Sequence, residues 1–527
     1  MKTLEEDINI EIVEPNNKHS FASVLSCGLN GVNAYPVEIE IDISGGLPNF
    51  ILVGLPDAAI NESKERVRAA IKSSNLEFPS KKIVVNLAPA DTKKAGPTYD
   101  LAIALGILTC NEVIDSNNLN DIWVVGELGL SGKIRQVNGV LSFVISAKNN
   151  GAKGIIIPKE NKEEAALIKG INIYPVDSLS EAIKTIKNIK SIKPFTSLNL
   201  EREIKKEINQ VDFSEVKGQL LAKRALEIAA AGGHHVLMIG SPGSGKSMLA
   251  QRLSTIMPPL FHEERIEVTQ IYSAGGKLNS NRKIIIDRPF RTPHHSASAA
   301  GLIGGGSIPQ PGEISLAHKG VLFLDELIEF QKKVLDSLRQ AIETKEITLS
   351  RARKSSTFPC DFILIAACNP CPCGYYGDSL KKCTCSTFEV RKYLNKISGP
   401  ILDRIDLQVE VKRLNENELI SNQVSESSPS IKSRVIAGRE VQKKRYKDQT
   451  INLNSEIGSR SIREHCKLST NGQEILKEAI KSLALSARSY DRLLKVSRTI
   501  ADLSNSDIIK DEHILEALQF RLSTFKA

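Results

Sequence analysis

The octapeptide Gly240-Ser241-Pro242-Gly243-Ser244-Gly245-Lys246-Ser247 follows directly on the apolar run His235–Ile239 and runs into a helical pattern, Ser247–Ile256. Strand, glycine-rich turn and helix in that order form a phosphate-binding loop, and they fix an α/β region around it. The glycines let the backbone wrap a phosphate chain, and amides at the helix start donate to it. Lys246 is expected to neutralise β- and γ-phosphate charge and Ser247 to ligate Mg²⁺. ATP and Mg²⁺ are therefore the cofactors this stretch predicts. A glycine-rich turn that binds nothing is the bland alternative, and the flanking strand and helix weigh against it.

The rest of the chain must be large enough to support such a site. At roughly 100–200 residues per domain, 527 residues predict two to four domains. Hydrophobic residues make up 41% and charged residues 25%, which excludes wholesale disorder and fibrous repeats. The longest apolar stretches, such as Leu101–Cys110, are about half the length of a membrane span. The N-terminus MKTLEEDINIEIVEP places acids where a signal peptide places Lys or Arg, so a soluble, cytoplasmic protein with no membrane partner is expected. Nine cysteines are too few for a disulfide framework, and four of them crowd into Cys371–Cys385, which suggests metal in a reducing compartment. The net charge of +9 is compatible with a polyanionic partner but does not demand one.

Pattern changes divide the chain. Residues 1–190 alternate short apolar runs (Val37–Ile43, Phe50–Val53, Ile83–Leu87, Ile122–Gly126, Gly154–Pro158) with helical stretches (Ala59–Ser73, Asp100–Thr109, Val140–Asn149), beginning near Leu29; this predicts an α/β domain. A Lys/Glu-rich stretch without an apolar face, 191–210, reads as a linker. Residues 211–412 alternate again, with a Cys-rich insertion at 371–385. From 413 to 527 only helical patterns remain: Ile431–Arg445, Gly472–Leu483, Ala487–Leu503 and Asp511–Leu522. The fold class expected is multidomain α/β with an all-helical C-terminal lid.

Within 211–412 further residues point to nucleotide hydrolysis. Gly320–Glu326 is an apolar strand ending in two acids. Asp325 is expected to hold Mg²⁺ through water and Glu326 to polarise the attacking water. The run Phe362–Cys368 ends in Asn369, at the position called sensor 1, where a polar side chain orients the lytic water. Arg404 lies where an arginine finger would reach a neighbouring subunit's nucleotide, and Arg488, opening a lid helix, matches sensor 2. Taken singly, either arginine would more often be a surface ion pair; the order of motifs favours catalytic roles.

The motifs Arg288–Ala300, Pro311–His318 and Val321–Leu327 resemble those of the Mg-chelatase-like AAA+ ATPases of the YifB/ComM family, over nearly the whole chain. The resemblance implies a ring, expected to be hexameric, of the helicase-related AAA+ branch; ComM members are linked to branch migration of DNA during natural transformation. A finger arginine likewise has no use unless another subunit supplies the nucleotide. In the N-terminal region Gly96-Pro97-Thr98, Gly126–Arg135, Val137–Leu141 and Ile155–Asn161 are similar to the proteolytic domain of Lon, which pairs a Ser nucleophile with a Lys base. Thr98 stands at the Ser position and Leu141 at the Lys position, while Lys93 and Lys94 precede the turn. A hydroxyl without a base is a poor nucleophile, so an interaction or assembly module is expected and a regulatory protease disfavoured.

Cys371, Cys373, Cys383 and Cys385 offer four thiolates, enough for a structural Zn²⁺ site; unpaired thiols and a redox pair are the alternatives. His294, His295 and His318 read as polar packing. Glu346–Pro359 reads as a β-hairpin with Arg351, Arg353 and Lys354 at its tip, where helicase-branch AAA+ proteins place a pore hairpin. Such cations would bind DNA phosphates without reading sequence, the alternative being a solvated turn. The glycine-rich stretch Gly301–Gly312 matches the second pore insertion. A magnesium-chelatase motor that drives metal insertion into a porphyrin is the competing function, but its D-x-S-x-S motif appears only as Asp502-Leu-Ser504-Asn-Ser506, with too little chain behind it for the domain that normally carries it.

Overall fold

The computed structural model describes residues 20–521 apart from 197–210, 279–282, 307–308, 352–353, 398, 416–417, 419–424, 448, 450 and 484. Most of the expected linker, 197–210, and the hairpin residue Arg353 thus lie outside the described residues. The chain divides into two compact units, one of Met1–Ser197 with Asn279–Lys283 and one of Leu198–Leu278 with Ile284–Ala527.

The N-terminal unit holds a four-stranded sheet ordered Ser20–Asn30, Asn33–Ser44, Lys82–Ala88, Asn49–Val53, antiparallel except for the last pair. Period-two alternation sets its inner face. Val37, Ile39, Ile41 and Ile43 are buried while Glu38 between them is exposed. Against that face lies Asp100–Cys110, a helix apolar nearly all round, in which every residue but Thr109 is buried. A three-stranded parallel sheet, Ile122–Val124, Gly154–Pro158 and Asn172–Val176, completes the unit. The first strand starts nine residues before the position near Leu29 where the sequence pattern becomes legible.

The second unit is built on a five-stranded sheet ordered Phe290–Arg291, Val321–Leu324, Ile363–Cys368, Val236–Ile239, Leu407–Glu410, with every neighbouring pair parallel. Sheets of this kind are covered on both faces, which is why their strands read as unbroken apolar runs. Val236–Ile239, Val321–Leu324 and Ile363–Cys368 are buried throughout. Register matters more than length here. Ile239 pairs with Cys368 and Leu324 with Ala366, so the loops carrying Gly240, Asn369 and Asp325 leave the same edge of the sheet, where ligands of such sheets bind.

The C-terminal helices Ser428–Arg445, Thr470–Leu483, Ala487–Leu503 and Asp511–Gln519 share one apolar core with the helix Leu220–Gly232 and one face of the sheet. A buried polar chain runs through it. Asp502 accepts from Arg445 Nη1 at 2.8 Å, Arg498 Nε at 3.0 Å and Asn454 Nδ2 at 2.8 Å; Asn454 also reaches Thr499, whose hydroxyl bonds His234 Nε2 at 2.8 Å. His234 Nδ1 in turn lies 3.2 Å from Asp406 at the start of the last strand. Fully satisfied networks of this kind specify one packing. Asp502 is consumed by them, so the D-x-S-x-S letters do not form a free metal-binding site. No helix among the described residues is long and apolar enough to cross a membrane.

Candidate active site

Gly245, with φ of 93°, turns the chain into the helix Lys246–Ile256. Gly240 leaves no room for a side chain, since a Cβ there would stand 2.2 Å from the Val411 carbonyl oxygen. Between them the loop curls around the Lys246 ammonium, which donates to the carbonyls of Gly240 (2.6 Å) and Ser241 (3.0 Å) and to Asn369 Oδ1 (3.4 Å). Burial pushes the Lys246 pKa down, against the opposing pull of Asp325. Ser247 Oγ donates to Asp325 Oδ2 at 3.0 Å. The sheet order explains the convergence: the strand ending at Asn369 is inserted between the loop strand and the acidic strand, so Lys246, Ser247, Asp325, Glu326 and Asn369 meet although they span 124 sequence positions.

The residues present suit a nucleotide triphosphate and its Mg²⁺. Ser244 Oγ is buried inside the loop without a hydrogen-bond partner among the described residues, an orphaned hydroxyl. Ser247 and Asp325, already 3.0 Å apart, supply the hydroxyl and carboxylate oxygens that Mg²⁺ prefers.

Glu326 occupies a left-handed conformation (φ 52°), sparsely populated for non-glycine residues, and its side chain is half exposed. Its Oε2 lies 3.0 Å from His295 Nδ1. The reading of His295 as mere packing therefore misses a direct partner of the acid. The only signal in the sequence is its place four residues after the edge strand Phe290–Arg291, whose neighbour is the acidic strand.

Arg404 and Arg488 come together elsewhere. Arg404 pairs with Glu343 at the end of the helix Lys332–Thr344, and its side chain is only 10% exposed. Arg488 is 66% exposed and lies 3.8 Å from Asp403, the residue before Arg404, and Arg492 adds a second guanidinium 3.9 Å from the same carboxylate. Burial, then the nearby guanidiniums of Arg339, Arg488 and Arg492, push the Arg404 pKa down. The two expected arginines thus lie near one another on different carboxylates, Arg488 with Arg492 at Asp403 and Arg404 at Glu343; the sequence gives no hint of Arg492 or Glu343 as partners.

The four clustered cysteines converge: all four sulfurs lie within 4.8 Å of one another, with Cys371–Cys373 at 3.3 Å, Cys373–Cys383 at 3.6 Å and Cys371–Cys383 at 3.7 Å. Tetrahedral Zn²⁺ with Zn–S of about 2.3 Å needs sulfurs about 3.8 Å apart, so the set fits. The segment 346–359 forms an antiparallel hairpin in which Arg351 pairs with Lys354. The short ribbon Gly304–Gly305 with Gln310–Pro311 lies against it: a methyl on Gly304 would come within 3.2 Å of Leu349 Cδ1.

In the N-terminal unit Thr98 sits half-buried in the turn Pro97–Tyr99, Leu141 is fully buried in Val140–Asn149, and Lys94 donates to the Pro89 carbonyl. Among the described residues no basic side chain hydrogen-bonds the Thr98 hydroxyl.

Comparison with known proteins bears on the whole of this arrangement. Residues 212–419 match the family described as "Magnesium chelatase, subunit ChlI", residues 39–161 match "Subunit ChlI of Mg-chelatase", and residues 425–521 match "Magnesium chelatase, subunit ChlI C-terminal". The chain is 44% identical to the uncharacterized protein YifB of Escherichia coli over 93% of its own length and 95% of the relative's. It is 42% identical to the competence protein ComM of Haemophilus influenzae, covering 95% and 97%. The Lon protease of Buchnera aphidicola is 25% identical over 32% of this chain and 23% of that protease.

Proposed function

The chain belongs to the YifB/ComM family, with a Lon-like N-terminal region, a Mg-chelatase-type AAA+ ATPase core and a helical C-terminal region, and on that footing we propose that it hydrolyses ATP with Mg²⁺ in a ring, expected to be hexameric, to remodel or translocate DNA. The observation that carries the reading is the convergence of Lys246, Ser247, Asp325, Glu326 and Asn369 on one edge of the parallel sheet, while Arg404 and Arg488 lie near one another at Glu343 and Asp403. In this reading the loop amides and Lys246 bind the phosphates. Ser247 and Asp325 hold the metal, which would supply charge neutralisation at the γ-phosphate. Glu326 takes the proton from the attacking water, and Asn369 aligns that water. Arg404 serves the nucleotide of a neighbouring subunit, Arg488 acts as sensor 2 from the lid helix, and the N-terminal unit serves assembly or interaction without peptidase activity.

DNA is the substrate this reading names, because the hairpin places Arg351 and Lys354 at its tip beside the glycine-rich ribbon and because a relative is named a competence protein. ATP hydrolysis by the purified protein, measured alone and with single-stranded, duplex and branched DNA, tests it; no stimulation by any of the three would remove DNA from the proposal. Replacing Arg351, Arg353 and Lys354 together with Ala is expected to weaken binding to all DNA sequences alike and to flatten its salt dependence, each lost phosphate contact removing roughly one released counterion. Basal ATPase is expected to persist and its stimulation by DNA to disappear. Unchanged affinity and salt slope in variant protein that still assembles would move DNA binding away from the hairpin.

The four-cysteine cluster is read as a structural Zn²⁺ site. The protein is expected to carry about one Zn²⁺ per chain, and Cys373→Ser to lower both metal content and thermal stability. Metal analysis of reduced protein checks this, and its absence would leave unpaired thiols.

A further inference from the structure

The cysteine cluster is not a remote ornament. Cys371 follows Asn369 by two residues, at the exit of the buried strand Ile363–Cys368, and Asn369 Oδ1 accepts from Lys246. The chain then turns at Gly374, whose left-handed backbone (φ 86°) lies flat on the phosphate loop: a Cβ there would stand 2.8 Å from both Cγ and Cδ of Pro242. One short segment thus touches the site twice, through Asn369 and through Pro242.

That segment has only a small apolar core; its other contacts are local turns and polar pairs, such as Lys381 over the Tyr375 ring. Its own apolar cluster consists of Cys371, Val390 and Leu394, with the other three cysteines and Tyr393 packed at the margin. Of these three buried side chains only Cys371 belongs to the fifteen-residue loop itself, too little apolar burial to offset the conformational entropy lost on ordering it. The sulfurs, in contrast, are arranged for a common ligand. The amide of Tyr376 donates to Cys371 Sγ at 3.3 Å and that of Cys385 to Cys383 Sγ at 3.4 Å, the outer contacts that orient thiolate ligands. Asp378 Oδ1 closes the loop's tip by accepting from the amides of Leu380 (2.8 Å) and Lys381 (2.9 Å). Cys371 is fully buried and the other three are half-buried, so a metal there is held firmly yet lies within reach of a chelator.

We propose that the zinc-loaded loop 371–385 is a buttress of the phosphate loop, so that zinc occupancy sets the affinity of the site for ATP. The proposal rests on the readings of Gly240–Ser247 as an ATP site and of the four cysteines as a Zn²⁺ site. Binding of the metal displaces the thiol protons, folds the loop against Pro242 and fixes Asn369 relative to Lys246. Loss of the metal releases both contacts at once, without altering any residue that touches nucleotide.

The test uses the full chain. Zinc is measured by elemental analysis, and affinity by titration with a fluorescent ATP analogue in the presence of Mg²⁺, before zinc removal, after removal by a chelator under reducing conditions, and after return of one equivalent of Zn²⁺. The dissociation constant is expected to rise by about tenfold or more in the zinc-free protein, the scale of loss that small misplacements of a binding group cause, and to recover on readdition. Gly374→Ala, which keeps all four thiols but drives a methyl into Pro242, is expected to retain zinc and still bind ATP more weakly. Zinc-free protein and Gly374→Ala that both bind ATP as tightly as the native protein would overturn the buttress alone. Native protein that binds ATP but contains no zinc would overturn the metal reading and this proposal with it, and zinc-loaded protein without affinity for ATP would overturn the nucleotide reading.

Discussion

Lys246→Ala is expected to lose ATP binding, whereas Glu326→Gln is expected to bind ATP normally and to turn it over about 10²–10⁴ times more slowly, the range supplied by positioned general bases. The two substitutions separate because the residues meet the nucleotide differently. Lys246 is enclosed by the loop, its ammonium 2.6 Å and 3.0 Å from two loop carbonyls, so without it those carbonyls face the phosphates with no cation between them. Glu326 stands half exposed at the strand end. The amide that replaces its carboxylate has the same shape and can still accept from His295, so the site keeps its form and loses only the group that takes the proton. Titration with a fluorescent ATP analogue reads the first effect and phosphate release the second. Undiminished ATP affinity in Lys246→Ala would remove the assignment of the phosphate loop.

Much of this site was legible because its parts are local. A buried parallel strand reads as an unbroken apolar run, and the polar residue that follows it falls at the sheet edge, which is how Asp325, Glu326 and Asn369 could be picked out one by one. The C-terminal helices Thr470–Leu483, Ala487–Leu503 and Asp511–Gln519 were legible for a similar reason, each carrying its own apolar stripe, whereas Ser428–Arg445 buries Ser428, Gly438 and Gln442 beside Ile431 and Val435. What escaped depends on which strands become neighbours. His295 meets Glu326 only because Phe290–Arg291 pairs with Val321–Leu324, and Arg404 meets Glu343 only because two segments far apart in the chain pack together. The strand Ser20–Asn30 escaped for a different reason. Ser26, Cys27 and Gly28 interrupt its alternation, and Ser26 is buried where the pattern would place an apolar residue. The strand Asn172–Val176 carries Pro175, tolerated because the strand lies at the sheet edge, and proline discourages the assignment from sequence alone. The contact between Gly374 and Pro242 was beyond reach altogether, because it depends on one positive φ.

Arg404→Ala is expected to leave ATP binding intact and to lower turnover by about 10³-fold or more, the contribution measured for arginines supplied to a phosphoryl transition state from a neighbouring subunit. A defect of this size does not by itself say whose nucleotide the arginine serves, but mixing does. A chain with Arg404→Ala keeps Glu326, and a chain with Glu326→Gln keeps Arg404. In a ring built from head-to-tail interfaces each site joins the acid of one chain to the arginine of the next. Random co-assembly of the two inactive proteins in equal amounts therefore restores about a quarter of the sites, those where an intact acid faces an intact arginine. If Arg404 served the nucleotide of its own chain, every site would lack one group or the other. Phosphate release from mixed rings at about a quarter of the native rate is the expected result. Silence from mixtures shown to have exchanged subunits would place Arg404 outside the neighbouring site and return it to a structural ion pair with Glu343.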